Sequence, residues 1–112
     1  MDITQRTIKD ATVLDLKGDL TYNNRGAFKT AVEESKSKSC RHLIVNLEHV
    51  RFVDSSGLGL LVLLSQGFKI QDVQFSLLKP QNYVREILSL ANIPKMIPIF
   101  ETEGDALTAR AA

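Results

Sequence analysis

The sequence predicts a single α/β domain, residues 1–112, in which about four α-helices cover a mixed sheet of four to five β-strands. Short runs of branched apolar residues, which are typical of strands, alternate with longer segments whose apolar residues recur at helical spacing. The length of 112 residues suits one domain, and the composition, 44% hydrophobic and 24% charged, is typical of a soluble folded chain. Wholesale disorder and fibrous architectures are therefore excluded.

The N-terminal third predicts a β-hairpin followed by a helix. Ile3–Lys9 and Thr12–Lys17 have strand-like composition and flank a short turn, and Gly18 ends the second strand. The apolar residues of segment 27–32 recur at helical spacing, which predicts a helix with one apolar stripe. The Ser/Lys stretch Ser35–Ser39 predicts a solvated helix end, where lysines favour the negative end of the helix dipole.

The middle of the chain predicts a buried strand and an unusually apolar helix. Leu43–Leu47 is a compact run of branched residues, which is typical of a central strand covered on both faces. Leu58–Phe68 predicts a helix with more apolar residues than one sheet face requires. The surplus either packs under a neighbouring helix or forms an exposed patch that marks a partner interface. The expected core stripe is Leu58, Leu61, Val62 and Phe68, and the surplus residues are Leu60, Leu63 and Leu64.

The C-terminal part predicts two strands and two helices. Val73–Leu78 alternates well enough for a strand, and Pro80 is expected in the first turn of the next helix, whose stripe runs over residues 83–91. Ile97–Phe100 predicts a short last strand, and Thr102–Asp105 resembles a capping box that begins a final helix.

Charge and composition exclude several functional classes. Fourteen Lys and Arg residues against thirteen Asp and Glu leave a net charge of +1, so no strong grip on nucleic acid or anionic lipid is expected. The longest apolar run, Leu60–Leu64, is too short to cross a bilayer, and the N-terminus has no signal-peptide core, so we expect a cytoplasmic protein. Cys40, a lone cysteine, is expected to be a half-buried structural residue.

No motif predicts catalysis, a metal or a cofactor. His42 and His49 flank the third strand without a Gly-x-Ser-x-Gly motif or metal-ligand spacing, and are interpreted as polar residues at the strand edges. Gly57-Leu58-Gly59 lacks the third glycine of a dinucleotide fingerprint, because Val62 stands at that position.

The most informative motif is an acid and two serines at a predicted strand-to-helix corner. Asp54 is placed to cap the free backbone N–H groups of the following helix, which puts Ser55 in the first helical turn with its hydroxyl towards solvent. A phosphoryl group on Ser55 would add negative charge beside Asp54 and would change the surface rather than the fold. The alternative interpretation is that the serines only cap the helix.

At these residues the sequence resembles the STAS domain, and specifically the stand-alone anti-sigma factor antagonists of bacterial partner switching. The resemblance is strongest at Leu43–Leu47 and Phe52–Gly59, and looser at Leu16–Leu20 and Leu88–Ile93. It implies a sheet covered by helices, and it implies that Ser55 is phosphorylated by a partner that is both a serine kinase and an anti-sigma factor. In such systems the unphosphorylated antagonist sequesters the kinase, a metal-dependent serine phosphatase resets the switch, and the antagonist catalyses nothing.

The resemblance also implies a partner surface at this corner and on the loop that follows the second strand. In that loop, Thr21 stands where many antagonists have an acid. A second function stays open, that of a constitutive scaffold or small-ligand-sensing module of the same fold. The implied partner-binding residues are Asp19, Thr21, Asp54, Ser55, Ser56, Gly57 and Leu58.

Overall fold

The order of strands and helices along the chain is the predicted one. The computed structural model describes residues 1–36 and 40–109, so Ser37–Ser39 of the predicted helix end lie outside the described residues. In that part of the chain, none of the helices combines the length and the apolar character needed to cross a bilayer. The elements are β1 Asp2–Ile8, β2 Ala11–Lys17, α1 Arg25–Lys36, β3 His42–His49, α2 Ser55–Ile70, β4 Gln74–Leu78, α3 Asn82–Leu90, a 3₁₀ turn Ile93–Lys95, β5 Ile99–Phe100 and α4 Glu103–Thr108.

The five strands form one mixed sheet with the order β1-β2-β3-β4-β5. The β1–β2 pair is antiparallel, which confirms the predicted hairpin, and the other three pairs are parallel. Strand β3 lies in the centre and is buried from His42 to Leu47, as predicted for a strand covered on both faces. Because β2, β3 and β4 are parallel, their carboxyl ends meet at one edge of the sheet, and the β2–α1 and β3–α2 loops begin there.

Helix α2 buries a different stripe from the one expected. Leu61 and Phe68 are buried as predicted, whereas Leu58 and Val62 are only half-buried. The surplus residues divide between the two alternatives, because Leu60 and Leu64 join the core while Leu63 is 64% exposed. The buried stripe is Gly57, Leu60, Leu61, Leu64 and Phe68.

Three further expectations are wrong in detail. Pro80 precedes α3 instead of entering its first turn, because the helix begins at Asn82 after the extended residue Gln81. Ser35 is buried and donates its hydroxyl to the carbonyl of Ala31, so this part of the helix end is not solvated. His42 is not an edge residue, because α4 covers its face of the sheet and its Nε2 lies 2.9 Å from Ser76 Oγ.

The same face of the sheet carries an ionic network beneath α4. Arg6 of β1 makes two hydrogen bonds to Asp15 of β2, at 2.6 and 3.0 Å, and a third to Glu103 of α4 at 2.6 Å. Asn46 of β3 donates to the same aspartate at 2.8 Å. The hydrogen bonds from Arg6 outweigh partial burial and lower the pKa of Asp15 below its ordinary value. The network therefore ties three strands to the last helix.

Replacing Asp15→Asn should lower the free energy of unfolding at neutral pH by about 1–2 kcal/mol, because Arg6 loses one of its two carboxylate partners. The lowered pKa also gives stability that is present above the carboxyl's unfolded value of 3.8 and is lost as pH falls through the folded value. Urea unfolding from pH 7 to pH 3 should therefore show a shallower acid loss in the variant than in the wild type. Asp2→Asn, at an exposed position of β1, is the control, and equal acid slopes for Asp15→Asn and wild type would contradict this account.

Candidate functional site

The strand-to-helix corner after β3 is built around the carboxylate of Asp54. This residue has extended backbone geometry and is the N-cap of α2, as predicted, with Oδ1 accepting from the Gly57 amide at 2.8 Å. Its second oxygen, Oδ2, accepts from the amide of Tyr22 at 3.1 Å. The hydrogen bond from Gly57, followed by that from Tyr22, lowers the pKa of Asp54 below its ordinary value. The ionised carboxylate thus holds the start of α2 and the β2–α1 loop together.

Backbone pairing joins the same two loops directly. Leu20 and Val53 form a parallel bridge beyond the ends of β2 and β3. The Leu20 amide donates to the Phe52 carbonyl at 2.9 Å, and the Asp54 amide donates to the Leu20 carbonyl at 3.2 Å. The bridge explains how residues more than thirty positions apart in the sequence come to share one surface.

Gly57 allows α2 to approach this bridge closely. A Cβ at residue 57 would lie 2.5 Å from the Leu20 carbonyl oxygen and 3.0 Å from side-chain atoms of Leu20 and Val53. Only a residue without a side chain fits there. The contact also selects which face of α2 turns inward, because the buried residues Leu61, Leu64 and Phe68 follow Gly57 at helical spacing.

The structure exposes Ser55, the first residue of α2, while Ser56 is half-buried. The described part of the chain offers no hydrogen-bond partner to the Ser55 hydroxyl. The helix cap is supplied by Asp54, so the fold does not use Ser55 as its cap. The corner therefore presents a hydroxyl that another protein can reach, beside a fixed negative charge.

The predicted loop residues lie near the corner, in different settings. Thr21 is half-buried, and its carbonyl accepts from the amides of Asn24 and Arg25 at the start of α1. Asp19 accepts from the Asn24 side chain through its own carbonyl, at 2.8 Å. Its carboxylate oxygen Oδ1 lies 3.9 Å from Arg51 Nε. Leu58, the remaining predicted contact residue, is half-buried against the core.

Sequence reasoning missed an aromatic rim around the corner, made by Tyr22, Phe52 and Tyr83. Phe52 and Tyr83 stack with their ring centroids 6.2 Å apart, and the Arg25 guanidinium lies 5.2 Å from the centroid of Tyr22. The three rings are 66%, 38% and 58% exposed in that order. The sequence predicts Tyr83 in the apolar stripe of α3, whereas the structure exposes its ring and stacks it on Phe52.

The two histidines do not join the corner. His42 lies at the start of β3, opposite the loops, and burial lowers its pKa below the ordinary value. His49 is exposed at the end of β3 near Glu48. Within residues 1–36 and 40–109, no group of three or more His, Cys, Asp or Glu side chains could hold a metal ion.

The fold agrees with comparisons to known proteins. The model of the STAS domain family matches residues 2–106, and the chain belongs to that family. It is 24% identical to the anti-sigma F factor antagonist of Paenibacillus polymyxa over 97 residues, which cover 86% of this chain and 83% of the relative.

Solved structures show the same fold. An anti-sigma factor antagonist from Mycobacterium paratuberculosis superposes with a TM-score of 0.82 at 21% identity, over 96% of this chain and 91% of the other. The anti-sigma factor antagonist SpoIIAA, in its unphosphorylated form, gives 0.79 at 20% identity, over 95% and 93%. The phosphorylated form of SpoIIAA, described as a Bacillus cell fate determinant, gives 0.72 at 19% identity, over 95% and 96%.

Replacing Gly57→Ala should destabilise the protein by about 2–3 kcal/mol, because the new methyl group would overlap the Leu20 carbonyl. Gly59→Ala is the matched control, since nothing lies within 4 Å of the added atom on the exposed side of the same helix. This control should stabilise the protein by up to about 1 kcal/mol through helix propensity. Chemical denaturation of both variants checks the prediction, and a neutral Gly57→Ala would show that α2 does not depend on this close approach.

Proposed function

We propose that this protein is an anti-sigma factor antagonist that works as a phosphorylation switch and is not itself an enzyme. The unphosphorylated form binds and sequesters an anti-sigma factor that is also a serine kinase. The kinase phosphorylates Ser55, the complex dissociates, and a metal-dependent serine phosphatase restores the binding form. The observation that carries this proposal is the exposed Ser55 hydroxyl, which stands beside the ionised Asp54 and has no hydrogen-bond partner in the described part of the chain.

The likeness to known antagonists supports the proposal. The relative from Paenibacillus polymyxa is an anti-sigma factor antagonist, and SpoIIAA, which has the same fold, exists in both a phosphorylated and an unphosphorylated form. The relatives' names point to the class of partner. The exposed position of Ser55 in this chain supports it as the residue whose phosphorylation controls binding of that partner.

The proposed partner surface is the corner with its aromatic rim. Tyrosine and phenylalanine bury large areas at protein interfaces with little loss of conformational entropy, and they are frequent anchors there. The proposed surface includes Asp54, Ser55 and the half-buried Leu58 at the start of α2. It also includes Asp19 and Thr21, on the loop that the Leu20–Val53 bridge joins to this corner. A partner docked on the rim would therefore cover the hydroxyl that it modifies.

A phosphoryl group explains release without unfolding. It brings about −1.5 to −2 charges at neutral pH to a position next to a carboxylate that is already ionised. A loss of about 1.4 kcal/mol in binding free energy weakens a complex tenfold, so moderate repulsion inside a closed interface is enough. Because Ser55 makes no side-chain bond within the described structure, its modification removes no contact from the fold.

The Ser55→Ala variant should bind the kinase permanently, because it has no hydroxyl to phosphorylate. Its free energy of unfolding should stay within about 0.5 kcal/mol of the wild type, because the substitution removes only an exposed hydroxyl that has no partner in the described residues. Ser55→Asp should weaken the complex at least tenfold. Titration calorimetry with the cognate kinase and intact-mass analysis after incubation with ATP measure both effects. Ser56→Ala is the matched control and should still accept one phosphate. A phosphate found only outside Ser55, or none, would overturn the switch and leave the constitutive scaffold as the function.

Leu58→Ala should lower affinity for the kinase about tenfold while reducing stability by only about 1 kcal/mol, since the side chain is half-buried at the edge of the proposed interface. Leu61→Ala, at a fully buried position of the same helix, is the comparison. This variant should lose about 2–4 kcal/mol of stability and bind normally at temperatures where it is folded. If both variants lose stability equally and neither loses affinity, Leu58 belongs to the core alone.

A further inference from the structure

Arg25 is placed at the corner in a way that the fold does not explain. It is the first residue of α1, and a cation at a helix N-terminus meets the positive end of the helix dipole. Its guanidinium lies over the exposed ring of Tyr22. In the described ranges 1–36 and 40–109, no carboxylate lies within ion-pair distance of it. The helix dipole therefore does not favour a cation at this position.

A short series of contacts connects Arg25 to Ser55. The ring under the guanidinium belongs to Tyr22, and the amide of Tyr22 donates to Asp54 Oδ2. Asp54 immediately precedes Ser55. The hydrogen bonds from Gly57 and Tyr22 lower the pKa of Asp54, and the positive charge of Arg25 lowers it further. The guanidinium is thus held at the surface that carries the serine.

The other arginines near this edge of the sheet are already paired. Arg51, on the β3–α2 loop, lies 3.9 Å from a carboxylate oxygen of Asp19. Arg85, on α3, makes two hydrogen bonds to Glu101, at 2.6 and 2.7 Å. Among the described residues, the guanidinium of Arg25 contacts only the face of an aromatic ring, which is a weak partner at an exposed site. It can therefore turn to a stronger anion at little cost.

We propose that Arg25 is the internal counter-ion of a phosphoryl group on Ser55. The proposal rests on the proposed function in taking Ser55 as the modified residue, and it adds how the modified form is held. The guanidinium leaves the ring of Tyr22 and forms charge-assisted hydrogen bonds with the phosphoryl oxygens, a pairing for which arginine geometry is well suited. The repulsion from Asp54 is offset inside the modified protein, and the ring of Tyr22 loses its cation.

This rearrangement separates two effects of phosphorylation. Inside the free protein, Arg25 compensates the new charge, so the modified form keeps its stability. The surface that faces the partner changes in two ways, because it gains a negative group and loses the contact between Arg25 and Tyr22. The phosphorylated antagonist would therefore be a stable, differently shaped species.

The test uses the full chain with phosphoserine placed at position 55 by semisynthesis or by codon suppression, so no kinase is needed. Phosphorus NMR follows the second ionisation of the phosphoryl group between pH 4 and pH 8. A neighbouring cation favours the dianion, so Arg25→Ala should raise the titration midpoint by about half a pH unit. Lys29→Ala, which removes an exposed cation one turn further along α1, should move it by less than about 0.1.

Thermal melts give an independent reading. The unmodified Arg25→Ala protein should have the same melting temperature as the wild type. Phosphoserine at position 55 should lower the melting temperature more in Arg25→Ala than in the wild type. An unchanged phosphorus titration in Arg25→Ala would overturn the proposal, and so would an equal effect from Lys29→Ala. The proposed function fails separately, when a cognate kinase leaves Ser55 of the wild-type protein unmodified.

Discussion

The bidentate use of one carboxylate is the interaction on which the rest of this surface depends. Asp54 accepts from the first turn of α2 with one oxygen and from the β2–α1 loop with the other. A serine or asparagine cap could satisfy the helix, but neither offers two equivalent charged acceptors. The carboxylate therefore fixes the helix start and the neighbouring loop relative to each other, and it does so at the edge where parallel strands end.

This arrangement explains why a switch can be placed here without endangering the fold. The free N–H groups of α2 are satisfied by Asp54, and the close contact of Gly57 with Leu20 anchors the helix to the bridge below. Ser55 is therefore not needed as the helix cap, and it is exposed to solvent. A change of charge on it acts on whatever lies above the surface, since the hydrogen bonds beneath it involve other atoms.

The sequence predicted the elements well because their signals are local. The compact run Leu43–Leu47 identified the central strand, and the polar residues before Leu58 identified the start of α2 and its cap. The predictions that were wrong depended on rotation and neighbours. Leu58 and Val62 are apolar, as are Leu60 and Leu64, which the structure buries instead, so composition could not show which side of the helix faces the sheet.

The site divides in the same way between local and tertiary information. The sequence alone predicts the strand-to-helix corner, because Asp54, Ser55 and Gly57 lie within four positions of one another. Tyr22, Arg25 and Tyr83 come from other segments, and their spacing in the sequence carries no sign that they would surround it. Parallel strands bring such segments together at one edge of the sheet. The amino-acid sequence does not show which residues of neighbouring strands pair, so it does not show which loops meet there.

By itself, then, the amino-acid sequence determined the alternation of strands and helices, the central strand, and the acid–serine corner at the start of α2. Only the tertiary structure decided which face of α2 is buried and that Ser55 has no hydrogen-bond partner within residues 1–36 and 40–109. It also decided that three aromatic rings, and an arginine without a carboxylate partner in those ranges, lie at the corner. The physical reason is that hydrogen-bonded periodicity and capping act over a few residues. Burial and charge pairing depend on which distant segments the sheet brings into contact.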